Sequence, residues 1–72
     1  MKFFDRIEKL QRMDDLIRHK ATGPPSSFAR KLRISERTLY NYLEVFRAAG
    51  CTLHYNKFKE TYEYLAENEG VN

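Results

Sequence analysis

The sequence predicts a mostly α fold with a C-terminal β-hairpin: three helices followed by two strands. Three observations carry that expectation. Apolar residues recur every three or four positions over residues 3–19 and again over 36–49. Gly23-Pro24-Pro25 and Gly50 break the helical pattern. After Gly50 the period changes from about 3.6 to about two. Seventy-two residues allow one domain, expected over 1–66, with the acidic segment 67–72 expected to fray.

The first helix is expected over 3–19. Phe3, Ile7, Leu10, Met13 and Ile17 fall on one stripe, which reads as core. Arg6, Lys9, Arg12 and Arg18 fall elsewhere, and Asp14 lies near the stripe, where it should pair with a base or sit at the edge. The "ATGPP" segment ends this helix, because proline removes an N–H and clashes with the preceding turn. Pro25 suits the first position of a second helix, "PSSFARKL", where a missing N–H costs nothing. Phe28, Ala29 and Leu32 are its inward set.

A sharp turn at Arg33 would let Leu32, Ile34 and Leu39 reach one core. Ser35 is a good N-cap for a third helix over 36–49, its hydroxyl accepting from the N–H of Arg37 or Thr38. Glu36 in the first turn suits the helix dipole. Leu39, Leu43 and Phe46 form the inward stripe with Tyr42 beside it, and Gly50 stops the helix in a left-handed conformation. In "CTLHYNKFKETYEYL", Leu53 and Tyr55 share one strand face, and Tyr62 and Tyr64 share another. The polar "NKFKE" turn between them, residues 56–60, makes a hairpin. The five Phe and five Tyr are expected to supply most of the core.

Two short helices joined by a sharp turn form a helix-turn-helix, and a hairpin directly after them makes it a winged helix-turn-helix. "FARKLRISERTLYNYLEVFRAAG" resembles the winged helix-turn-helix of bacterial transcription regulators of the deoxyribonucleoside-repressor and biotin-repressor type. The resemblance rests on Ala29 and Leu32 before the turn, Ile34 and Ser35 after it, Arg37-Thr38-Leu39 opening the next helix, and Ala49-Gly50 closing it. "LHYNKFKETYEY" resembles the wing, and together the match covers roughly residues 4–65. Three positions depart from the family pattern. Arg33 stands where glycine is usual, Glu36 where a base is common, and Asn41 where arginine is common.

The resemblance implies double-stranded DNA binding and transcription regulation, with helix 36–49 in the major groove and the 56–60 wing on adjacent backbone or minor groove. On that reading Arg37 and Asn41 are the base readers, suited to guanine and adenine, and Glu44 continues their stripe toward cytosine. Ser35 and Thr38 suit a phosphate at the helix start. Tyr40 reaches backbone or a thymine methyl. Lys57 and Lys59 contact phosphate, and Phe58 either meets the minor groove or folds back on the core. Arg30 and Lys31 either face the DNA backbone or are solvated surface.

The charge pattern agrees with a polyanionic partner. The first 59 residues hold all 13 bases against six acids, a net +7, whereas residues 60–72 carry four glutamates and no base. The rival from another class is a winged-helix protein-interaction module without DNA binding, favoured by Glu36, Glu44 and neutral Asn41. RNA ranks third, because no single-strand-binding motif is present.

No enzyme is expected. Asp14 and Asp15 diverge on a helix, and neither a Ser/His/Asp motif nor a glycine-rich phosphate loop is present. Cys51 with His19 and His54 gives no zinc spacing, so no metal or other cofactor is expected. One cysteine permits no intramolecular disulfide and fits a reducing cytoplasm. Charges throughout "MKFFDRIEKL" leave no signal-peptide core, and no stretch suits a membrane. A ligand-binding domain does not fit beside the helices and hairpin. The expectation is therefore action without a small-molecule effector, by occupancy, as a homodimer, or within a larger regulatory assembly.

Overall fold

In the computed structural model, which describes residues 3–65, the chain runs α1 (Phe3–Arg18), α2 (Pro25–Leu32), α3 (Glu36–Ala48), β1 (Leu53–Asn56) and β2 (Thr61–Tyr64). The tail expected to fray, 67–72, lies outside the described residues. The expected order of elements is the one observed, with each of the two longer helices one residue shorter than its pattern suggests.

All three helices end by the same device. Lys20 N–H donates to Ile17 O and Ala21 N–H to Leu16 O; Arg33 N–H donates to Arg30 O and Ile34 N–H to Ala29 O; Gly50 N–H donates to Arg47 O and Cys51 N–H to Phe46 O. This pair of bonds satisfies carbonyls that a helix end otherwise leaves open, and it requires a left-handed residue just past the helix. That residue is Lys20 (φ +54°), Arg33 (φ +60°) and Gly50 (φ +98°). Glycine meets the requirement without strain only at α3; the other two ends hold a side chain in a region that disfavours it.

The helices start differently. Pro25 opens α2, whose Phe28 N–H bonds back to Pro24 O at 2.9 Å. Ser35 caps α3, its hydroxyl accepting from Thr38 N–H at 3.0 Å. The strands pair antiparallel in the register Leu53 with Tyr64, His54 with Glu63, Tyr55 with Tyr62 and Asn56 with Thr61. Leu53, Tyr55, Tyr62 and Tyr64 therefore share one face, turned to the helices.

The core consists of Met13 and Ile17 from α1, Phe28, Ala29 and Leu32 from α2, Leu39 and Leu43 from α3, and Tyr62 from β2. The expectation that Phe and Tyr supply most of it is corrected: Phe28 and Tyr62 are its two aromatic members. The reason is amphipathic chemistry. Tyr42, Tyr55 and Tyr64 stay half-buried, packed against the edge of this core. Phe4, Tyr40 and Phe58 are exposed. Aliphatic side chains fill the centre, where a full burial is worth about 1.5–3 kcal/mol for a leucine-sized group.

Two buried hydroxyls join the hairpin to the helices. Thr22, after α1, and Thr61, at the start of β2, are both fully buried. Thr22 N–H donates to Thr61 Oγ1 at 3.1 Å, Tyr62 N–H donates to Thr22 Oγ1 at 2.9 Å, and the two hydroxyl oxygens lie 3.0 Å apart. Each hydroxyl also has a carbonyl within reach, Gly23 O for Thr22 and Tyr62 O for Thr61, both at 2.9 Å. One proton per hydroxyl serves either the neighbouring hydroxyl or its carbonyl, and both oxygens keep an N–H donor throughout. A second link runs from Tyr64, whose hydroxyl donates to Asp14 Oδ1 at 2.6 Å. Asp14 also accepts from Arg18 at 2.8 Å, the pairing with a base that its position on the stripe predicts.

Three outcomes test this account. Arg33→Gly relieves a left-handed side chain and should raise stability by about 0.5–1 kcal/mol in a urea melt, after the flexibility it adds to the unfolded chain. Thr61→Val leaves the Thr22 N–H without its acceptor and should cost about 1–3 kcal/mol, seen as a lowered melting temperature. Burial, and then the bond to Asp14, raise the Tyr64 pKa above its ordinary value. The folded chain keeps this proton when the unfolded chain loses it, so the contribution is full below about pH 10 and declines above it. Tyr64→Phe should flatten that alkaline decline, as measured by melts across the range.

Candidate nucleic-acid interface

The helical rotation that buries Leu39 and Leu43 and half-buries Phe46 turns Arg37, Asn41, Glu44 and Ala48 to the opposite side of α3. All four are exposed. They differ in how far they are committed. Glu44 accepts from Arg47 at 3.0 Å, so its charge is matched by a base one turn along the same helix. Arg37 and Asn41 make no side-chain hydrogen bond or ion pair with any other described residue. A guanidinium fork and a carboxamide four residues apart thus face outward together, able to offer paired donors and a donor–acceptor pair to a flat edge.

Tyr40 lies on the flank of this stripe and is 47% exposed. Burial raises the Tyr62 pKa first, the neighbouring Tyr40 adds to the rise, and the Arg47 charge opposes it.

At the start of α3 the expected phosphate-binding hydroxyls are already engaged. Ser35 Oγ donates to Thr38 Oγ1 at 3.0 Å while accepting from Thr38 N–H. The cap serves the Thr38 N–H and leaves those of Glu36 and Arg37 at the open end, where the helix dipole favours an anion.

On α2, Arg30 is exposed and its side chain bonds no other described residue, whereas Lys31 is engaged: its Nζ donates to Ala21 O at 2.6 Å, tying α2 to the segment after α1. Lys31 also lines an open cleft of about 370 Å³ with Glu8, Lys9, Arg12, Leu32 and Arg33. Sequence reasoning missed this second basic surface. The spacing of Lys9 and Arg12 puts them on one side of α1, but nothing in the sequence brings that side to the α2–α3 turn.

The hairpin tip is shaped by its own Asn56. Asn56 Oδ1 accepts from Phe58 N–H at 2.9 Å and from Lys59 N–H at 3.0 Å, and Asn56 Nδ2 donates to Glu63 at 3.2 Å. Glu63 lies opposite His54 across the strands, 3.7 Å from its Nε2. Glu60 closes the loop with φ +53°. Of the two placements open to Phe58, the outward one is observed: the ring is 99% exposed between exposed Lys57 and Lys59.

Elsewhere, a groove of about 590 Å³ between α1 and the end of α3 is lined by Ile7, Leu10, Phe46, Cys51, Tyr64 and neighbouring residues. Among the described residues no group of three or more His, Cys, Asp or Glu side chains is placed to hold a metal ion, and no helix is long and apolar enough to cross a membrane. No family model, curated protein or solved structure matches the chain.

Proposed function

We propose that this chain is a winged helix-turn-helix protein that binds double-stranded DNA and regulates transcription. In this reading α3 lies in the major groove and the hairpin, as the wing, touches the adjacent backbone or minor groove. The observation that carries the reading is the uncommitted pair Arg37 and Asn41 on the outward face of α3. Base-edge recognition needs side chains that meet no intramolecular partner, and these two have the chemistry for guanine and adenine. Lys57 and Lys59 supply phosphate contacts, with Arg30 beyond the turn adding another. Glu44, matched by Arg47, adds little repulsion toward phosphate.

The departures from the family pattern shape the expected behaviour. Glu36 and neutral Asn41 lower the charge of α3, so non-specific attraction should come mostly from Lys57, Lys59 and Arg30. Discrimination among sequences should come from Arg37 and Asn41.

Fluorescence titration of purified protein into labelled random duplex DNA, at low and at physiological salt, tests the proposal. Binding should weaken with salt. Lys57→Ala/Lys59→Ala should reduce the salt slope by up to about two counterions. Arg37→Ala should weaken binding to a site selected from the random pool about tenfold. Absence of binding even at low salt would overturn the proposal and favour a protein partner for the same face.

A further inference from the structure

Phe58 is held in water by a preorganised support. Its N–H and that of Lys59 converge on Asn56 Oδ1, Asn56 is held in turn by Glu63, and the base of the loop continues into Thr61, fixed to Thr22 in the interior. Tyr62, the next residue, packs its ring on Phe28 at 5.7 Å and on Tyr55 at 5.0 Å. The ring thus stands at the end of a post rooted in the core. A lone exposed phenylalanine is ordinary on a protein surface. One mounted on a loop with its backbone already fixed, and with a cation on each side, is arranged for insertion.

We infer that Phe58 is a wedge that enters a base step of the bound duplex from the minor groove and kinks it, an inference that rests on the DNA-binding reading above. Insertion of an apolar side chain unstacks two base pairs, and the ring–base contact that replaces the lost stacking offsets part of that penalty. A preordered loop adds little entropy loss on binding. Lys57 and Lys59, on either side of the ring, meet phosphates flanking the opened step and oppose sliding. Insertion therefore selects DNA that is easily opened. The preferred ligand class is duplex with a flexible pyrimidine–purine step or a mismatch at the wedge position, rather than stiff A-tract DNA.

The test uses the full chain and short duplexes labelled at both ends, one fully paired with a central TA step, one A-tract, and one with a central mismatch. Energy transfer between the ends reports bending, and fluorescence anisotropy reports affinity. Wild type should shorten the end-to-end distance of the TA and mismatched duplexes and bind the mismatched one about fivefold or more tightly than the A-tract. Phe58→Ala should lose both the bend and the preference for the mismatched duplex. Phe58→Trp should keep both. Because the ring is exposed, matching thermal melts should confirm that the variants fold. Wild type that binds without bending, or Phe58→Ala that bends as wild type does, would overturn the wedge and leave DNA binding standing. Wild type that binds none of the three duplexes at low salt would overturn both readings.

Discussion

The placement of the hairpin depends on two threonine hydroxyls. Without them the Tyr62 N–H and the Thr22 N–H would be buried without acceptors, and two unmet donors in an interior this small cost about as much as a core side chain contributes. Thr22 and Thr61 resolve both at once by exchanging roles, each oxygen accepting the backbone N–H that the other segment presents. The exchange fixes the start of β2 against the loop after α1, a separation of 39 residues along the chain. A two-stranded hairpin is marginal in water by itself. Here it is stabilised from its base, through these hydroxyls, and from its inward face, through Tyr62 on Phe28.

That root has a consequence for the rest of the molecule. The C-terminal ends of α1, α2 and α3 each turn on a left-handed residue, so the helices are aimed by backbone geometry as much as by side-chain packing. Gly50 then passes the chain to β1, and the hairpin returns to the α1–α2 loop. The fold is closed on itself between its first loop and its last strand. The outward face of α3 and the tip of the hairpin are left out of this closure, and both are held by elements that are part of it.

Much of this was legible in the sequence because it is local. Ser35 before an acidic residue and an apolar run predicts a cap, Pro25 predicts a helix start, and the switch to alternation after Gly50 predicts strands; each signal acts within a few residues of itself. The end of α1 was harder. Lys20 occupies a left-handed position that glycine usually marks, so periodicity alone extended the helix past Arg18. The threonine pair was invisible for another reason. Threonine in a strand is expected on β propensity, and threonine before Gly-Pro-Pro is expected in a loop, so neither position hints at its partner. The outward residues of α3 were legible from rotation alone, but their availability was not. Whether Glu44 or Lys31 is committed depends on Arg47 and on the carbonyl of Ala21, and the latter contact is tertiary.

That division between committed and free side chains is also what a functional reading must rest on. In a chain of 72 residues many polar groups have structural duties: Ser35 and Thr38 begin a helix, Lys31 ties two elements together, Asn56 shapes a loop, and Asp14 bridges α1 to β2. Replacing any of these perturbs the fold and any binding together, so a loss of binding would not identify a contact. Arg37, Asn41, Arg30, Lys57, Lys59 and Phe58 make no such side-chain link to any other described residue. Among the described residues no hydrogen bond or ion pair holds these side chains, and at Phe58 the backbone alone is fixed. A ligand that engages them meets groups whose desolvation is compensated only by the ligand, which is the condition under which recognition depends on what the ligand presents. The informative part of the surface is therefore the part the fold does not use, and here it lies on α3, at the exposed Arg30 of α2 and at the hairpin tip.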